Sequence, residues 1–124
     1  MSNTNQPQNR QHFRLVFPRQ GRLHLKTASG QQFPIVDISE KGLKLDFDSA
    51  QELKLHQFVG GEIRFHDGNK IKVLGKVIRK DSRGAALHLD LGVTSRDMLR
   101  EQVHIMQRYP MFLEEARRQQ YLVS

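Results

Sequence analysis

Phe33-Pro-Ile-Val-Asp-Ile-Ser-Glu-Lys-Gly-Leu-Lys-Leu-Asp-Phe47 is the stretch that decides the fold. After Gly42, the apolar Leu43, Leu45 and Phe47 alternate with Lys44 and Asp46, the period-two pattern of a strand with one buried and one wet face. Before it, Phe33 to Ile38 reads as another strand, and Pro34, lacking a backbone donor, places its start at an edge or an end. Between them, Ser39 to Gly42 carries turn chemistry. Strand, turn, strand is the unit from which the rest of the chain is read.

The same pattern recurs on both sides. Leu23 and Leu25 alternate with Arg22, His24 and Lys26 before a Ser29-Gly30 turn. Glu62 to Phe65 is a fourth strand, and Asp67-Gly68-Asn69 a hairpin turn. Ile71 to Arg79 is the longest strand, with Gly75 marking a bulge or bend, and Arg83-Gly84 turns the chain into Ala85 to Leu91. Ser49 to Val59 fits either a loop or a short turn of helix around Leu53, Leu55 and Phe58. Six short strands without helical crossovers specify an all-β antiparallel barrel or sandwich, and closure into a barrel would hide the sheet edges.

The ends differ from this body. Met1 to Asn9 is polar and reads as a disordered lead-in without the apolar run of a secretory signal. Arg10 to Arg19 mixes basic residues with Phe13, Leu15, Val16 and Phe17 and has no clear period, so it reads as a linker that docks rather than an element. Downstream, Thr94 and Asp97 form a capping pair ahead of Met98, Leu99, Val103 and Met106 at helical spacing. Pro110 opens a second helix, with Glu114 and Glu115 early and Arg117 and Arg118 late, as the helix dipole prefers. One or two C-terminal helices are expected to lie on the β body.

A chain of 124 residues accommodates one ordinary domain. Its formal charge of +7 suits an anionic partner such as a nucleotide, a nucleic acid, an acidic lipid or an acidic protein. The absence of cysteine removes disulfides and thiol chemistry and fits a reducing, cytoplasmic setting. No apolar run reaches the length of a membrane span. His12, His24, His56, His66, His88 and His104 show no metal-ligand spacing along the sequence, so no metal is expected, and no Gly-rich phosphate loop is present.

Two sparse patterns carry chemistry: Arg10-x-x-x-Arg14 and Asp37-x-Ser39-x-x-Gly42. A guanidinium is a planar fork that matches phosphate oxygens two at a time, and equally the O6 and N7 acceptors of guanine. Arg10 and Arg14 share one side of a compact backbone, whereas an extended one would separate them by roughly 13 Å. Asp37 and Ser39, two apart on a strand, point to one face. A carboxylate there can accept from the N1 and N2 donors of guanine, with the hydroxyl beside it. Gly42 permits a positive φ or a close backbone approach. Taken singly, the arginines fit a solvated surface and the second pattern fits a turn held by its own side chains.

In this order, on an all-β body with a terminal helix, the two patterns resemble the PilZ domain family. The resemblance runs from Arg10 to about Met106. It implies a bacterial receptor for cyclic di-GMP on a six-stranded antiparallel barrel, and not an enzyme. It further implies that Arg10 and Arg14 hold phosphates and guanine edges, that Asp37 and Ser39 hold a guanine on the barrel face, and that Gly42 shapes that surface. Many members carry a basic or bulky residue before the first arginine, where this chain has Asn9; Asn9, His12 and Arg79 are secondary candidates for the same face. The implied organisation is a lead-in over 1–9 and one domain over 10–124. That domain comprises a mobile ligand-binding arm (10–19), a barrel (20–92) and a helical C-terminus (94–124).

Signalling through an unidentified protein effector, in control of motility, biofilm or virulence, is the output the resemblance implies, and a homodimer is a further candidate partner. Two other readings compete. A small basic barrel could bind single-stranded nucleic acid, with Phe13 and Phe17 as stacking platforms, although no specific nucleic acid is expected because Phe33, Phe47 and Phe65 fall at inward strand positions. A PilZ-like fold could also serve as a protein-interaction module without ligand.

Overall fold

A computed structural model of the chain describes residues 14–46, 52–112 and 114–115. Seven strands and one long helix follow in order: β1 (Leu15–Val16), β2 (His24–Thr27), β3 (Gln32–Ser39), β4 (Gly42–Asp46), β5 (Phe58–Arg64), β6 (Lys70–Asp81), β7 (Gly84–Leu91) and α1 (Ser95–Arg108). The sheet runs β1-β3-β2-β5-β6-β7-β4, and pairing of β4 back onto β3 closes it. Six strands, β2 to β7, form the expected antiparallel barrel. Closure leaves that sheet no free edge.

β1 is the extra strand, in a segment read from sequence as a docking linker. Leu15 pairs with Ile38 and Val16 with Asp37, on the side of β3 that β2 occupies further along. Hydrogen bonds from Phe17 N–H to Val36 O and from Ile35 N–H to Leu23 O continue that ladder on both sides of a short 3-10 turn, Arg19–Gly21. β1 and β2 are therefore one strand interrupted by a turn. Leu15 and Phe17 are buried, so the second half of the expected arm is core, and Phe17 is not available as a stacking platform. A two-residue strand is too short to display a period, which is why its sequence looked like a linker.

The barrel interior is filled by Leu25, Ile35, Ile38, Leu45, Ile63, Val77 and Leu87, all essentially inaccessible. Leu23, Phe33, Leu43 and Phe65 face inward as their alternation predicts, while Phe47 lies outside the described residues. The turns follow their sequences too: Gly30 and Gly68 adopt φ values of 95° and 94°, which other residues rarely tolerate. β5 begins earlier than the sequence pattern suggested, because Gly60 and Gly61 sit within it. Gly61 is packed so closely on the backbone of Lys26 in β2 that a Cβ there would lie 2.5 Å from the Lys26 carbonyl oxygen.

Two bulges decide which side chains the barrel turns outward. Between Ile35 and Asp37 the register of β3 against β4 shifts by one residue, and between Val77 and Arg79 that of β6 against β7 does the same. In β3 the inward residues are Phe33 and Ile35 and then, after the bulge at Val36, Ile38. Uninterrupted alternation would send Asp37 and Ser39 into the core. The bulge sends them out. Ile78 does the same for Arg79. A third shift, between Leu74 and Gly75, matches the bend expected at Gly75.

α1 begins at Thr94, whose hydroxyl oxygen accepts from Asp97 N–H at 3.1 Å, the capping pair read from sequence. Its buried stripe is Met98, Glu101 and Ile105. Of the four apolar residues read at helical spacing only Met98 is buried; Leu99, Val103 and Met106 face solvent. A charged residue occupies the middle of the true stripe, so apolar periodicity alone picked the wrong face. The chain is helical again at 110–112 and 114–115, and Arg117 and Arg118 lie outside the described residues. No helix among the described residues is long and apolar enough to cross a membrane.

Candidate functional site

The bulges assemble a polar surface on the outside of β1, β3, β4, β7 and β6. Cross-strand register arranges it in two rows. One runs Asp37, Lys44, Ala86, Arg79; the other runs Ser39, Gly42, His88, Lys76 and ends at Phe58 of β5. Arg14, immediately before β1, extends the sheet beside Ser39. Counted around the curved wall through β3, β4 and β7, four steps of about 4.8 Å lead from Arg14 to β6. Small residues, Gly42 and Ala86, form the middle of this surface, and longer cationic side chains ring it.

Arg14 and Asp37 meet directly: Arg14 Nη1 donates to Asp37 Oδ1 at 2.8 Å. The Arg14 side chain keeps 59% of its surface exposed against 12% for Asp37. The pair is therefore open to solvent on one side and well screened, worth no more than about 1 kcal/mol to the fold. Its use is positional. Asp37 bonds across to Arg14 and makes no bond to the β3–β4 turn among the described residues. The turn reading thus does not account for this carboxylate.

Ser39 does contribute to the turn, through a long 3.5 Å bond from its hydroxyl to Gly42 O. A contact of that length is weak, and the hydroxyl is readily recruited elsewhere. Gly42 does not adopt a positive φ. Close approach is what favours a glycine there: a Cβ would sit 3.3 Å from Leu87 O, tight enough to push that backbone by a few tenths of an ångström, and 3.4 Å from Ser39 Oγ.

A cavity of about 240 Å³ lies on this face, lined among others by Arg14, Ser39, Gly42, Lys44, Arg79 and His88. It gathers three of the primary candidates and the secondary candidate Arg79. Arg79 is loosely paired with Asp81 at 3.7 Å. The Asp81 carboxyl is held below its ordinary value of 3.8 by the backbone N–H of Arg83, and further by the charges of Lys44, Arg83 and Arg79. Arg10, Asn9 and His12 fall outside the described residues.

A larger depression of about 710 Å³ lies elsewhere, lined by basic residues such as Lys26, Arg64 and Lys70 together with Arg22, which is bonded to Asp46 at 2.8 Å. It contains no residue of either motif, so volume and motif point to different places on the barrel.

Sequence reasoning missed Lys44, His88, Lys76 and Phe58. Lys44 could have been found, since it lies two residues after Gly42 on the same strand face. The others depend on register across β4, β7, β6 and β5, which one strand's sequence does not encode. Phe58 is 63% exposed, with Lys76 Nζ 5.7 Å from its ring centre. It offers an aromatic face at the end of the second row.

Chemically, the surface presents forked and point-like cations for phosphates, a carboxylate for paired N–H donors, and a flat floor between them. No curated protein matches this sequence. A family model described as the PilZ domain matches residues 8–109, which takes in both motifs, the whole barrel and α1. The chain belongs to the PilZ domain family, whose members are known as ligand-binding receptors for cyclic di-GMP.

Proposed function

We propose that this chain is itself a cyclic di-GMP receptor, binding the nucleotide on the outer face of β3, β4, β7 and β6. The observation that carries the reading is the convergence of Arg14, Ser39 and Gly42 on one cation-rimmed cavity, with Asp37 paired to Arg14 beside it. Arg14, with Arg10 ahead of it, takes phosphate oxygens and a guanine edge. Asp37 accepts from guanine N1 and N2, which leaves Arg14 to exchange its carboxylate partner for a phosphate. Ser39 bonds beside Asp37, and Gly42 keeps the floor low enough for a flat base. Lys44 and Arg79 supply further positive charge.

Binding would act as a switch rather than catalysis. The residues ahead of Arg14 close over the nucleotide, and the change passes to a cytoplasmic partner protein that governs motility, biofilm formation or virulence.

Calorimetry of the full chain with cyclic di-GMP is the direct test, with cyclic di-AMP as control. Saturable binding of the guanine nucleotide alone is expected. No heat and no thermal shift at high ligand concentration would leave the fold as a protein-interaction module. Hydrogen exchange checks the closing step: amides of 10–14 should gain protection with ligand, and equal protection in both states refutes it.

A further inference from the structure

The seam between α1 and the β5–β6 turn holds a second constellation, independent of the nucleotide face. Glu101 is on the buried stripe of α1, with 1% of its side chain exposed. Both carboxylate oxygens address His66 in the turn: Oε1 accepts the His66 backbone N–H at 3.2 Å, and Oε2 contacts the ring Nδ1. His104, one helical turn after Glu101, stacks its ring on that of His66 with centroids 4.0 Å apart and planes 12° from parallel. One candidate ligand atom from each of the three side chains lies within 4.8 Å of the other two.

We propose that His66, Glu101 and His104 form a binding site for a divalent transition metal of the zinc class, which ties the β5–β6 turn to α1. The bonds between Glu101 and His66 account for two of the three residues. They leave the His104 ring with a stacking contact and without a hydrogen bond to any other described residue. A metal uses all three, as neutral imidazoles beside an ionised carboxylate.

The donor set is specific. Two imidazole nitrogens and one carboxylate oxygen suit Zn²⁺, Co²⁺ or Ni²⁺ and not Mg²⁺ or Ca²⁺, which take oxygen shells. Glu101-x-x-His104 puts both helical donors on one face, the i, i+3 arrangement by which helices carry metal ligands. Bond lengths of about 2.0–2.2 Å would set the donors roughly 3.3 Å apart, with the two rings turned out of their parallel stack so that both planes meet at the ion. His66 keeps 31% of its side chain exposed, so the ion has an entry path and an open position for water.

The test is titration of untagged, chelator-stripped full chain with Zn²⁺ by calorimetry and with Co²⁺ by visible absorption. One ion per chain is expected, with a cobalt band and a thermal midpoint that rises with metal. His104→Ala should lower the affinity at least about tenfold and abolish the band, whereas His24→Ala, on an exposed strand position, should change neither. Glu101→Gln should match His104→Ala. If that variant fails to fold, His104→Ala, which removes only a half-buried ring, still decides the matter. Uptake below one ion per chain, uptake indifferent to His104→Ala, or displacement by equimolar Mg²⁺ would each overturn the assignment.

Discussion

The proposed nucleotide face and the seam beneath α1 are both built from charged side chains on a small barrel, yet they hold those charges in opposite ways. On the face, Arg14 is mostly in water, the Ser39 bond is 3.5 Å long, and Arg79 reaches Asp81 only at 3.7 Å. In the seam, Glu101 is enclosed and both its oxygens are engaged by one residue of a neighbouring element. Loose, screened pairs are easily exchanged for a ligand. A buried carboxylate is not, because removing its partner strands a charge away from water. One region is organised to let go; the other is organised to hold.

The most severe way to break that contrast is to put a charge at the inward position that the bulge in β3 selects. Ile38→Asp would place a carboxylate at the fully buried site between Asp37 and Ser39, facing the barrel core. Burying an unpaired carboxylate is unfavourable by several kcal/mol, so cooperative thermal unfolding should be lost together with ligand binding. A variant that melts like the parent would show that β3 shifts its register to turn the new carboxylate outward.

Next in size is Glu101→Ala, measured by urea unfolding in the presence of chelator. Loss of two hydrogen bonds to a charged group should destabilise by about 2–3 kcal/mol. Nucleotide affinity of the folded fraction should stay within twofold, since the seam lies apart from the face. Arg14→Ala should do the reverse: nucleotide affinity falls by about 1–3 kcal/mol, with stability changed by less than about 1 kcal/mol. If both variants moved both quantities together, the two regions would be coupled.

The smallest effect is expected at Asp81. Its folded carboxyl lies below 3.8, so its contribution to stability is present above that value and disappears as pH falls through the folded value. Asp81→Asn should therefore differ from the parent above about pH 4 and converge with it in stronger acid. The same change frees Arg79 of its acidic neighbour and should tighten nucleotide binding slightly.

Much of this was legible in the chain. β2, β3, β4, β6 and β7 announce themselves because one wet and one dry face impose a period of two on four residues or more. Thr94 and Asp97 marked the helix start because capping is local chemistry. Where the determinant was not local, reading stopped. β1 is two residues long and is a strand only because β3 offers it partners. The outward turn of Asp37 depends on a single bulge residue. Its trace was in the sequence, since Ile38 breaks the alternation begun by Phe33 and Ile35. His66 is 35 residues from Glu101, so no spacing rule joins them. The partners of Asp37 and Ser39 across β4 and β7 emerged only once the register was known.

β1 has a last consequence. Leu15 and Phe17 are locked into the core immediately after Arg14, which makes that point a fixed anchor. Arg10, four residues upstream, is covalently confined to within about 14 Å of it at full extension. On the proposed function, once Arg14 has engaged a nucleotide the encounter with Arg10 is intramolecular, at an effective concentration in the millimolar range of a short tether. Avidity, rather than the strength of either guanidinium alone, would then set the threshold at which the receptor responds. Lengthening the stretch between the two arginines should raise that threshold without touching a single contact.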